Sequence, residues 1–398
     1  MINMGNDTKI SNIFWHRSFE RNNRSEKLVT QLKVMEKVLL VFDLSRRGAG
    51  VARDEEGCIF FIPYTAPEDV VRVRVLRQKK HYGQAQLIEI LQPSSLRQKP
   101  RCPAFGICGG CHWQHLPYEI QWKTKVEGVL QGLRRSFGDE CSVEVQKIPA
   151  ESIWEYRNRI QLRGDQGQLG FFQSGSRTLV PVHRCDIAHP AINASWKDFQ
   201  LEGEGRGNFK LEVEVEGTEV RRTWNEPHAG RGFRQVHEEQ NVHLQSWVAG
   251  CFRSFPGAIL YDLYGGSGNL SSGLVATMSA IHCVDISIHR SDEPGVFLHR
   301  APVVPWIERA FVPFQEGKRV AILDPPRGGL GRDLEKIHTA FRRLGISELV
   351  AIGCHTDAWL RDLGGWQKNQ WTLEKVLILD LFPQTYHVEC GAYLRFLG

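Results

Sequence analysis

The last part of the chain alternates short apolar segments with polar residues, and this alternation restricts the possible fold more than any other feature. Five segments have the composition of buried strands: AILYDL, SAIHCVD, RVAILD, ELVAIGC and KVLILD. Asp262, Asp285, Asp324 and Cys354 stand at the ends of the first four, and the fifth runs toward Glu389. Open, doubly wound α/β sheets bind their ligands at the carboxyl ends of parallel strands. The pattern therefore predicts a Rossmann-like α/β domain with a ligand site at that edge.

The first of these strands leads into a glycine-rich turn, YGGSGN. Gly265, Gly266 and Gly268 would let a nucleoside-type ligand approach the backbone closely. Asp285 ends the next strand, about 20 residues on, where an acidic side chain binds ribose hydroxyls. The turn lacks the full dinucleotide fingerprint, which favours S-adenosylmethionine over NAD. A simple tight turn is the alternative interpretation.

A second distinctive segment is CPAFGICGGC, with thiols at Cys102, Cys108 and Cys111. Glycine allows the backbone to fold tightly enough to point all three sulfurs at one metal centre. The best-placed candidate for a fourth ligand is Cys185. Thiolate-only ligation suits a [4Fe–4S] cluster or a structural zinc ion. The alternatives are a buried apolar group of cysteines and disulfides, which the absence of a recognisable secretory signal disfavours.

Residues 36–93 have the pattern of a small antiparallel, OB-like β-barrel, with short Val-, Ile-, Leu- and Phe-rich runs separated by turn residues. In VVRVRVL, Arg72 and Arg74 alternate with valines, and this period of two predicts that the valines face the core. Further cations follow at Arg77, Lys79 and Lys80. Such barrels often bind single-stranded nucleic acid through a basic face. A plain solvated face is an equally good interpretation of these residues taken alone.

The remaining segments complete a four-part division of the chain. Residues 1–35 are polar and lack periodicity, which predicts an extension without a core. Residues 94–228 combine the cysteine segment, a helical run from Tyr118 to Phe137 and several β-like runs, which predicts a mixed α/β domain that holds the metal centre. Residues 229–398 form the Rossmann-like domain.

Composition adds two expectations about partners and location. The formal net charge is +5, which permits an anionic partner such as RNA. No apolar run approaches the ~20 residues needed to span a bilayer. We therefore expect a soluble cytoplasmic protein without a membrane partner.

Three polar residues near the strand ends are candidates for catalysis. Cys354 in GCHTD is a candidate nucleophile if its thiol pKa can be lowered. Glu389 in TYHVE is a candidate base, and Asp324 in DPPR lies close to Arg327 in the sequence. The alternative interpretations are an inert half-buried cysteine, a solvated carboxylate and an ion pair. Together the three call for a reaction with a thiolate, a methyl donor and a base.

These motifs give the chain a specific family resemblance. It resembles the RNA uracil-5-methyltransferases, in the branch that has an amino-terminal TRAM domain and a [4Fe–4S] cluster. The similarity covers residues 36–398, and it is carried by the segments CPAFGICGGCHWQH, GFFQSGSRTLVPVHRC, GFRQV, DLYGGSGN, DPPRGGL, GCHTDAWLRDL and FPQTYHVE. Their order and spacing match the family, including the gap from Cys354 to Glu389.

The resemblance implies a role for each of these residues. Cys354 would add to C6 of uracil, C5 would take the methyl group of S-adenosylmethionine, and Glu389 would remove the C5 proton. Phe233 would stack on the target base. The residues that would line the cofactor and uracil sites are Gln235, Tyr264, Asn269, Asp285 and Asp324. The four cysteines, Cys102, Cys108, Cys111 and Cys185, would hold the cluster.

The TRAM domain and the cluster also indicate the substrate. Bacterial tRNA enzymes of this superfamily typically lack both, so we expect a uridine in a 23S rRNA loop rather than in the tRNA T-loop, and a monomeric enzyme. Two other classes stay open. One is an RNA-binding paralogue with weak catalysis, and the other is a redox-responsive iron–sulfur protein.

The sequence departs from the family pattern in three places. Gly353-Cys354-His355-Thr356 stands where the family usually has Ser-Cys-Asn-Pro. Asp285 replaces a glutamate at the ribose position. The stretch between Asp285 and Asp324 is short and lacks the usual Asn-Ala-rich helix.

Overall fold

The computed structural model describes residues 35–138, 143–226, 234–288, 292–310 and 317–397. These residues divide into two compact units, one formed by 35–117 with Phe172–Val180 and the other by Tyr118–Phe171 with 181–397. Most of the polar extension and Phe233 lie outside the described residues. The domain boundaries at residues 35, 93 and 228 stay predictions.

The first unit contains a closed β-barrel. Its strands are β1 (Glu36–Leu44), β2 (Gly50–Arg53), β3 (Ile59–Ile62), β4 (Val70–Gln78) and β5 (Tyr82–Gln92), in the order β1-β2-β3-β5-β4. Val71 and Val73 are fully buried, whereas Arg72 and Arg74 are exposed. The pleat thus points alternate side chains to opposite faces, as predicted.

The elements after the barrel are those that the sequence pattern assigned to the middle of the chain, and most of them belong to the second unit. They are α1 (Tyr118–Phe137), β6 (Glu144–Ile148), β7 (Arg159–Asp165), β8 (Gln168–Phe172), β9 (Leu179–Pro181), α2 (Pro190–Ala194), α3 (Trp196–Gly203), β10 (Phe209–Glu216) and β11 (Glu219–Trp224). Strands β7 to β11 form a sheet in the order β11-β10-β7-β8-β9. Its core includes Leu162, Phe199, Leu211 and Val213.

The larger sheet of this unit is the predicted doubly wound α/β structure. The elements that follow are α4 (Glu238–Phe252), β12 (Ile259–Leu263), β13 (Ala280–Asp285), β14 (Val296–Arg300), α5 (Val303–Arg309), β15 (Arg319–Leu323), α6 (Leu334–Leu344), β16 (Ile346–Gly353), α7 (Thr356–Lys368), β17 (Trp371–Leu379) and β18 (Glu389–Phe396). The sheet order is β14-β13-β12-β15-β16-β18-β17-β6. Strands β12 to β16 pair in parallel, and β18 runs antiparallel to both of its neighbours.

Both faces of this sheet are covered by apolar side chains. One core contains residues of α1, α5, α6 and α7, and the other contains residues of α4. All five residues of β12 are buried, as expected for a strand covered on both faces. This burial explains why these strands are continuous apolar runs in the sequence.

Two details differ from the sequence-based prediction. The fifth apolar run does not reach Glu389, because β17 ends at Leu379 and Glu389 opens a separate antiparallel strand. Pro383 in the connecting loop disfavours a continuous strand. In addition, β6 and α1 join the large sheet and its core, through the parallel β17–β6 pairing and buried residues such as Val129.

Within the described residues, none of the helices combines the length and the apolar character that crossing a bilayer requires.

Candidate active site

The sheet order brings the predicted catalytic residues to one edge. Asp285 ends β13, Asp324 follows β15, and Cys354 follows β16. Because β18 is antiparallel, it begins at the edge where β16 ends, and Gly353 is paired in register with Cys390. Cys354 and Glu389 are therefore neighbours across two adjacent strands, although they are distant in the sequence.

The glycine turn after β12 packs tightly against the sheet. A Cβ atom on Gly265 would lie 2.8 Å from the Asp262 carboxyl and 2.8 Å from Cys283 Sγ, so this position requires glycine. The Gly266 N–H donates to Asp285 Oδ2 at 3.2 Å, and the Ser287 N–H donates to Oδ1 at 2.8 Å. These two donors orient the Asp285 carboxylate at the strand end, and its remaining lone pairs can accept from ribose hydroxyls.

Two other predicted cofactor residues, Tyr264 and Asn269, belong to this turn. Tyr264 has a positive φ of 64°, a conformation that is uncommon for non-glycine residues. The amides of Asn269 and Asn241 exchange two hydrogen bonds of 2.8 Å, which join the turn to α4. Gln235 is buried, and its carbonyl accepts from Asn158 Nδ2 at 3.2 Å. The binding roles of these residues stay predictions.

The predicted nucleophile lies directly before a helix. Cys354 is half-buried, and His355 caps α7 by accepting from the Ala358 N–H at 3.3 Å. A helix amino terminus favours a negative charge and lowers the pKa of a nearby thiol. Burial acts in the opposite direction. The pKa of Cys354 is raised to about 12, first by burial and then by the carboxyls of Glu389 and Asp324, while Arg327 lowers it. The resting residue is therefore a thiol.

Gly353, directly before Cys354, has no room for a side chain. A Cβ atom on Gly353 would lie 2.9 Å from Trp359 Cδ1 and 3.0 Å from Trp359 Cβ. The Trp359 indole is fixed by donation to the Ala351 carbonyl at 3.1 Å. Glycine thus fits the packed indole, and His355 supplies the helix cap that an asparagine commonly supplies.

Two carboxyl groups at this edge hold their protons strongly. Burial raises the pKa of Glu389 well above its usual range, and Asp324 raises it further, whereas Arg327 lowers it. The pKa of Asp324 is raised to about 7, first by burial and then by the carboxyls of Asp262 and Asp285. Perturbed, mutually interacting carboxyl groups at a strand edge are typical of catalytic sites.

A functional candidate that the sequence patterns did not single out is Arg327. It lines a pocket together with Cys354 and Trp359. Its positive charge lowers the pKa of Cys354 and of Glu389, whereas neighbouring carboxyl groups raise both values. Its loop is fixed by Asp362 of α7, which accepts from the Leu330 N–H at 2.6 Å and the Gly331 N–H at 3.3 Å. The DPPR motif carries the signal in the sequence, but the pattern alone suggests for Arg327 only an ion pair with Asp324.

Replacing Asp324 by asparagine is expected to stabilise the protein more at pH 8 than at pH 5. The folded-state pKa of about 7 lies above the ordinary value of about 3.9. Between these two pKa values the folded protein binds one proton more than the unfolded protein does. The stability that this proton contributes is lost as the pH rises through about 7. The gain in free energy of unfolding should be on the order of 2 kcal/mol larger at pH 8 than at pH 5.

Urea denaturation of both proteins at the two pH values measures this difference. Asp292→Asn, a substitution of an exposed carboxylate, is the matched control and should show no such change. Equal effects of Asp324→Asn at pH 5 and pH 8 would contradict the raised pKa.

The predicted metal ligands do not form a metal site in the structure. The cysteine segment folds as successive turns, with the Cys108 N–H donating to Ala104 O at 2.9 Å and the Gly110 N–H directed at Cys108 Sγ at 3.4 Å. Cys185 belongs to the second unit, where its N–H donates to Asn193 Oδ1 at 2.9 Å. Across the described ranges, no three His, Cys, Asp or Glu side chains are placed to hold a metal ion. The structure by itself therefore does not support the cluster.

The basic face of the barrel is partly paired. Arg72 lies 3.8 Å from Glu89, and Arg74 lies 3.5 Å from Glu36, all four side chains being largely exposed. Exposed ion pairs of this kind contribute about 0–1 kcal/mol, so both arginines can exchange their carboxylate for a phosphate.

Comparisons with known proteins agree with this architecture. The TRAM domain family matches residues 34–88. The chain is 27% identical to an RNA methyltransferase of Bdellovibrio bacteriovorus, covering 95% of this chain and 98% of that protein. It is 24% identical to the 23S rRNA (uracil(1939)-C(5))-methyltransferase RlmD of Histophilus somni, covering 88% of this chain and 94% of that protein.

A solved structure has the same fold. The Pyrococcus abyssi tRNA (uracil-54, C5)-methyltransferase, determined with S-adenosyl-L-homocysteine, superposes with a TM-score of 0.65 at 20% identity. The match covers 90% of this chain and 99% of that one.

Proposed function

Because the comparisons confirm the resemblance to the RNA uracil-5-methyltransferases, we propose that this chain transfers a methyl group from S-adenosylmethionine to C5 of a uridine in RNA. The observation that carries the proposal is the pairing of β16 with β18, which sets Cys354 beside Glu389. The reaction needs a nucleophilic side chain and a proton-accepting side chain that both reach the same uracil ring. A cross-strand pair at a ligand-binding sheet edge supplies both.

The catalytic steps follow from these two side chains. Cys354 and Glu389 first lose their protons to solvent; Arg327 favours both losses, and the α7 amino terminus favours that of Cys354. The Cys354 sulfur then bonds to C6 of uracil. Electron density shifts to C5, which becomes nucleophilic. S-adenosylmethionine, when bound, would supply an electrophilic methyl group, which C5 would take as the sulfur–methyl bond breaks and S-adenosylhomocysteine is left. Glu389 then removes the C5 proton, the C5=C6 double bond reforms, and the C6–S bond breaks to release the Cys354 thiolate.

The raised pKa of Glu389 suits it to this role. A buried carboxylate holds an abstracted proton more firmly than an exposed one, so it is a stronger base. A positioned base of this kind typically contributes about 100- to 10,000-fold to the rate.

The cofactor residues complete the proposal. The oriented carboxylate of Asp285 would accept hydrogen bonds from the ribose hydroxyls, and the turn that contains Tyr264 and Gly266 would follow the nucleoside. Gln235, Asn269 and Asp324 are proposed to line the cofactor and uracil sites, as the resemblance implies. Phe233 is proposed to stack on the target uracil after the base has left its stack, which single-stranded loops permit most readily.

We propose that the substrate is a uridine in a 23S rRNA loop and that the enzyme acts as a cytoplasmic monomer. The match of residues 34–88 to the TRAM family supports an RNA-binding barrel. The similarity to a 23S rRNA enzyme across 94% of its length supports the rRNA. A tRNA uridine is the alternative substrate.

Incubation with labelled S-adenosylmethionine should therefore label 23S rRNA fragments, and Cys354→Ala should abolish the label. Mass mapping of rRNA and tRNA from a deletion strain should show one lost methyluridine in 23S rRNA. Methylation of tRNA transcripts, with none of the 23S fragments, would contradict the rRNA assignment.

We also propose, from the cysteine spacing and the family resemblance alone, that Cys102, Cys108, Cys111 and Cys185 bind a [4Fe–4S] cluster. Ligand sets of this kind close when the metal binds, because binding and local folding are coupled. Protein purified without oxygen should be brown and carry about four iron atoms per chain. Cys108→Ser should lose the iron, whereas Cys251→Ser, in α4, should keep it. Colourless protein with stoichiometric zinc would show that the metal is wrong.

A further inference from the structure

The loop between β17 and β18 joins Leu379 to Glu389, which pair in register at the ends of their strands, and side chains of α1 hold residues between them. We infer that Lys125 of α1 is a positioning residue for Glu389, in that its ammonium fixes the turn from which the catalytic carboxylate emerges. The inference rests on the proposed function, because it assigns Lys125 to the proton-removal step of that reaction.

The ammonium of Lys125 bridges both sides of the turn. It donates to Asp380 Oδ1 at 2.8 Å and to the Phe382 carbonyl at 3.1 Å. The side chains of Lys125 and Asp380 are fully buried. Asp380 Oδ1 also accepts from the Phe382 N–H at 3.0 Å. One buried cation therefore defines the conformation at the start of the loop.

The same turn is closed by its own residues and by a second α1 side chain. The Phe382 carbonyl also accepts from Thr385 Oγ1 at 2.8 Å. Asp380 Oδ2 accepts from the Tyr118 hydroxyl at 3.1 Å, and that hydroxyl accepts from the Ala150 N–H at 2.6 Å. These hydrogen bonds restrain the loop at Asp380, Phe382 and Thr385.

A second attachment point holds a strained residue. Gln384 has a φ of 67°, in the left-handed region. Its N–H donates to Gln121 Oε1 at 3.0 Å, and Gln121 Nε2 donates to Gln384 Oε1 at 3.1 Å. The Tyr156 hydroxyl donates to the Pro383 carbonyl at 3.0 Å. Three successive loop residues are thus fixed by side chains from other elements, which is how a site sustains an unfavourable backbone conformation.

The free energy of burying the Lys125–Asp380 pair distinguishes a positioning role from simple stabilisation of the fold. Burial lowers the pKa of Lys125, and Asp380 opposes this change. A fully buried ion pair is commonly no more stabilising than apolar residues of similar size. Geometry is therefore the better reason for placing a charged pair here, and the geometry that it sets is that of the turn leading to Glu389.

The test must distinguish slow proton removal from poor folding. Lys125→Met alone leaves Asp380 as an unpaired buried charge, which is strongly destabilising. The double variant Lys125→Met/Asp380→Asn removes both charges, and the asparagine oxygen still accepts from the Phe382 N–H. It lacks the ion pair, the donor to the Phe382 carbonyl and the acceptor of the Tyr118 hydroxyl, because an amide nitrogen replaces Asp380 Oδ2. Lys123→Met, on the exposed face of the same helix, is the matched control.

The readout is RNA with 5-tritiated uridine and labelled S-adenosylmethionine, followed through one turnover. We expect the double variant to transfer methyl within threefold of the wild-type rate, but to release tritium at least tenfold more slowly. A methylated RNA–protein complex should accumulate, because the C6–S bond breaks only after Glu389 has taken the C5 proton. The KM for RNA should stay unchanged, and Lys123→Met should behave as wild type.

Two outcomes would overturn the inference. Methyl transfer and tritium release that fall together, without a methylated complex, would make the ion pair a folding element only. Unchanged tritium release would show that the turn does not need the lysine. If the wild-type enzyme transferred no methyl group to any RNA, the proposed function would be refuted instead. That outcome differs from the two above because it is seen with the wild-type enzyme and not with the variant.

Discussion

Cys354→Ala is expected to abolish methylation and the covalent RNA complex together. RNA that contains 5-fluorouridine should trap the wild-type enzyme, because the base cannot remove fluorine as it removes the C5 proton. The trapped complex should migrate as a single band of increased mass on a denaturing gel. Without the thiol no bond forms to C6, so neither the band nor methyl transfer should be detectable.

The matched control for this experiment is Cys251→Ala. Cys251 is a buried thiol of α4 that does not belong to the proposed site, so this variant should retain the trapped band. Full activity of Cys354→Ala would show that the nucleophile has been assigned to the wrong residue. Loss of the band in a Cys390→Ala variant, with Cys354 intact, would point to the neighbouring buried thiol instead.

Glu389→Gln should stop the reaction one step later. The amide has nearly the shape of the carboxyl group, and burial favours the neutral form of that carboxyl by raising its pKa, so the variant should fold. Addition of Cys354 and methyl transfer come first in the proposed sequence. The methylated complex should therefore accumulate while turnover falls by about 100- to 10,000-fold.

Labelled S-adenosylmethionine measures this directly, since the label should stay with the protein band on a denaturing gel. Glu308→Gln, on an exposed position of α5, should leave no labelled protein. A trapped complex without the methyl label would place Glu389 before methyl transfer, for instance in removing the thiol proton, and would change its assigned role.

Elements defined by local pattern could be predicted from the sequence. Helix α1 begins at Tyr118 and ends at Phe137, as its apolar spacing predicts, and β1 covers the predicted segment from Glu36 to Leu44. The polar ends of β13, β15 and β16 lie at one edge because parallel strands share a direction. Periodicity and strand-end chemistry are local properties, so they can be recognised in an unaligned sequence.

What could not be predicted depends on long-range pairing. The β18 segment is apolar like its neighbours, and only its pairing with β16 and β17 makes it antiparallel and sets Glu389 beside Cys354. The short strand β2 has no extended alternation to reveal it. The roles of Asp362 and Lys125 arise from contacts made by distant segments. Side chains of this kind look like ordinary helix residues until the partner loop is known.

The ladder between β16 and β18 has a consequence for how such a chain can change in length. The separation of Cys354 from Glu389 is set by the pairing of Gly353 with Cys390, not by the amount of chain between them. Residues added at the turn after α7, near Asn369, would lengthen the connection without moving either group. One residue deleted inside β18 would turn every following side chain to the opposite face. Insertions can therefore accumulate between the two proposed catalytic residues over evolution, whereas the strands that carry them are closed to any change in length.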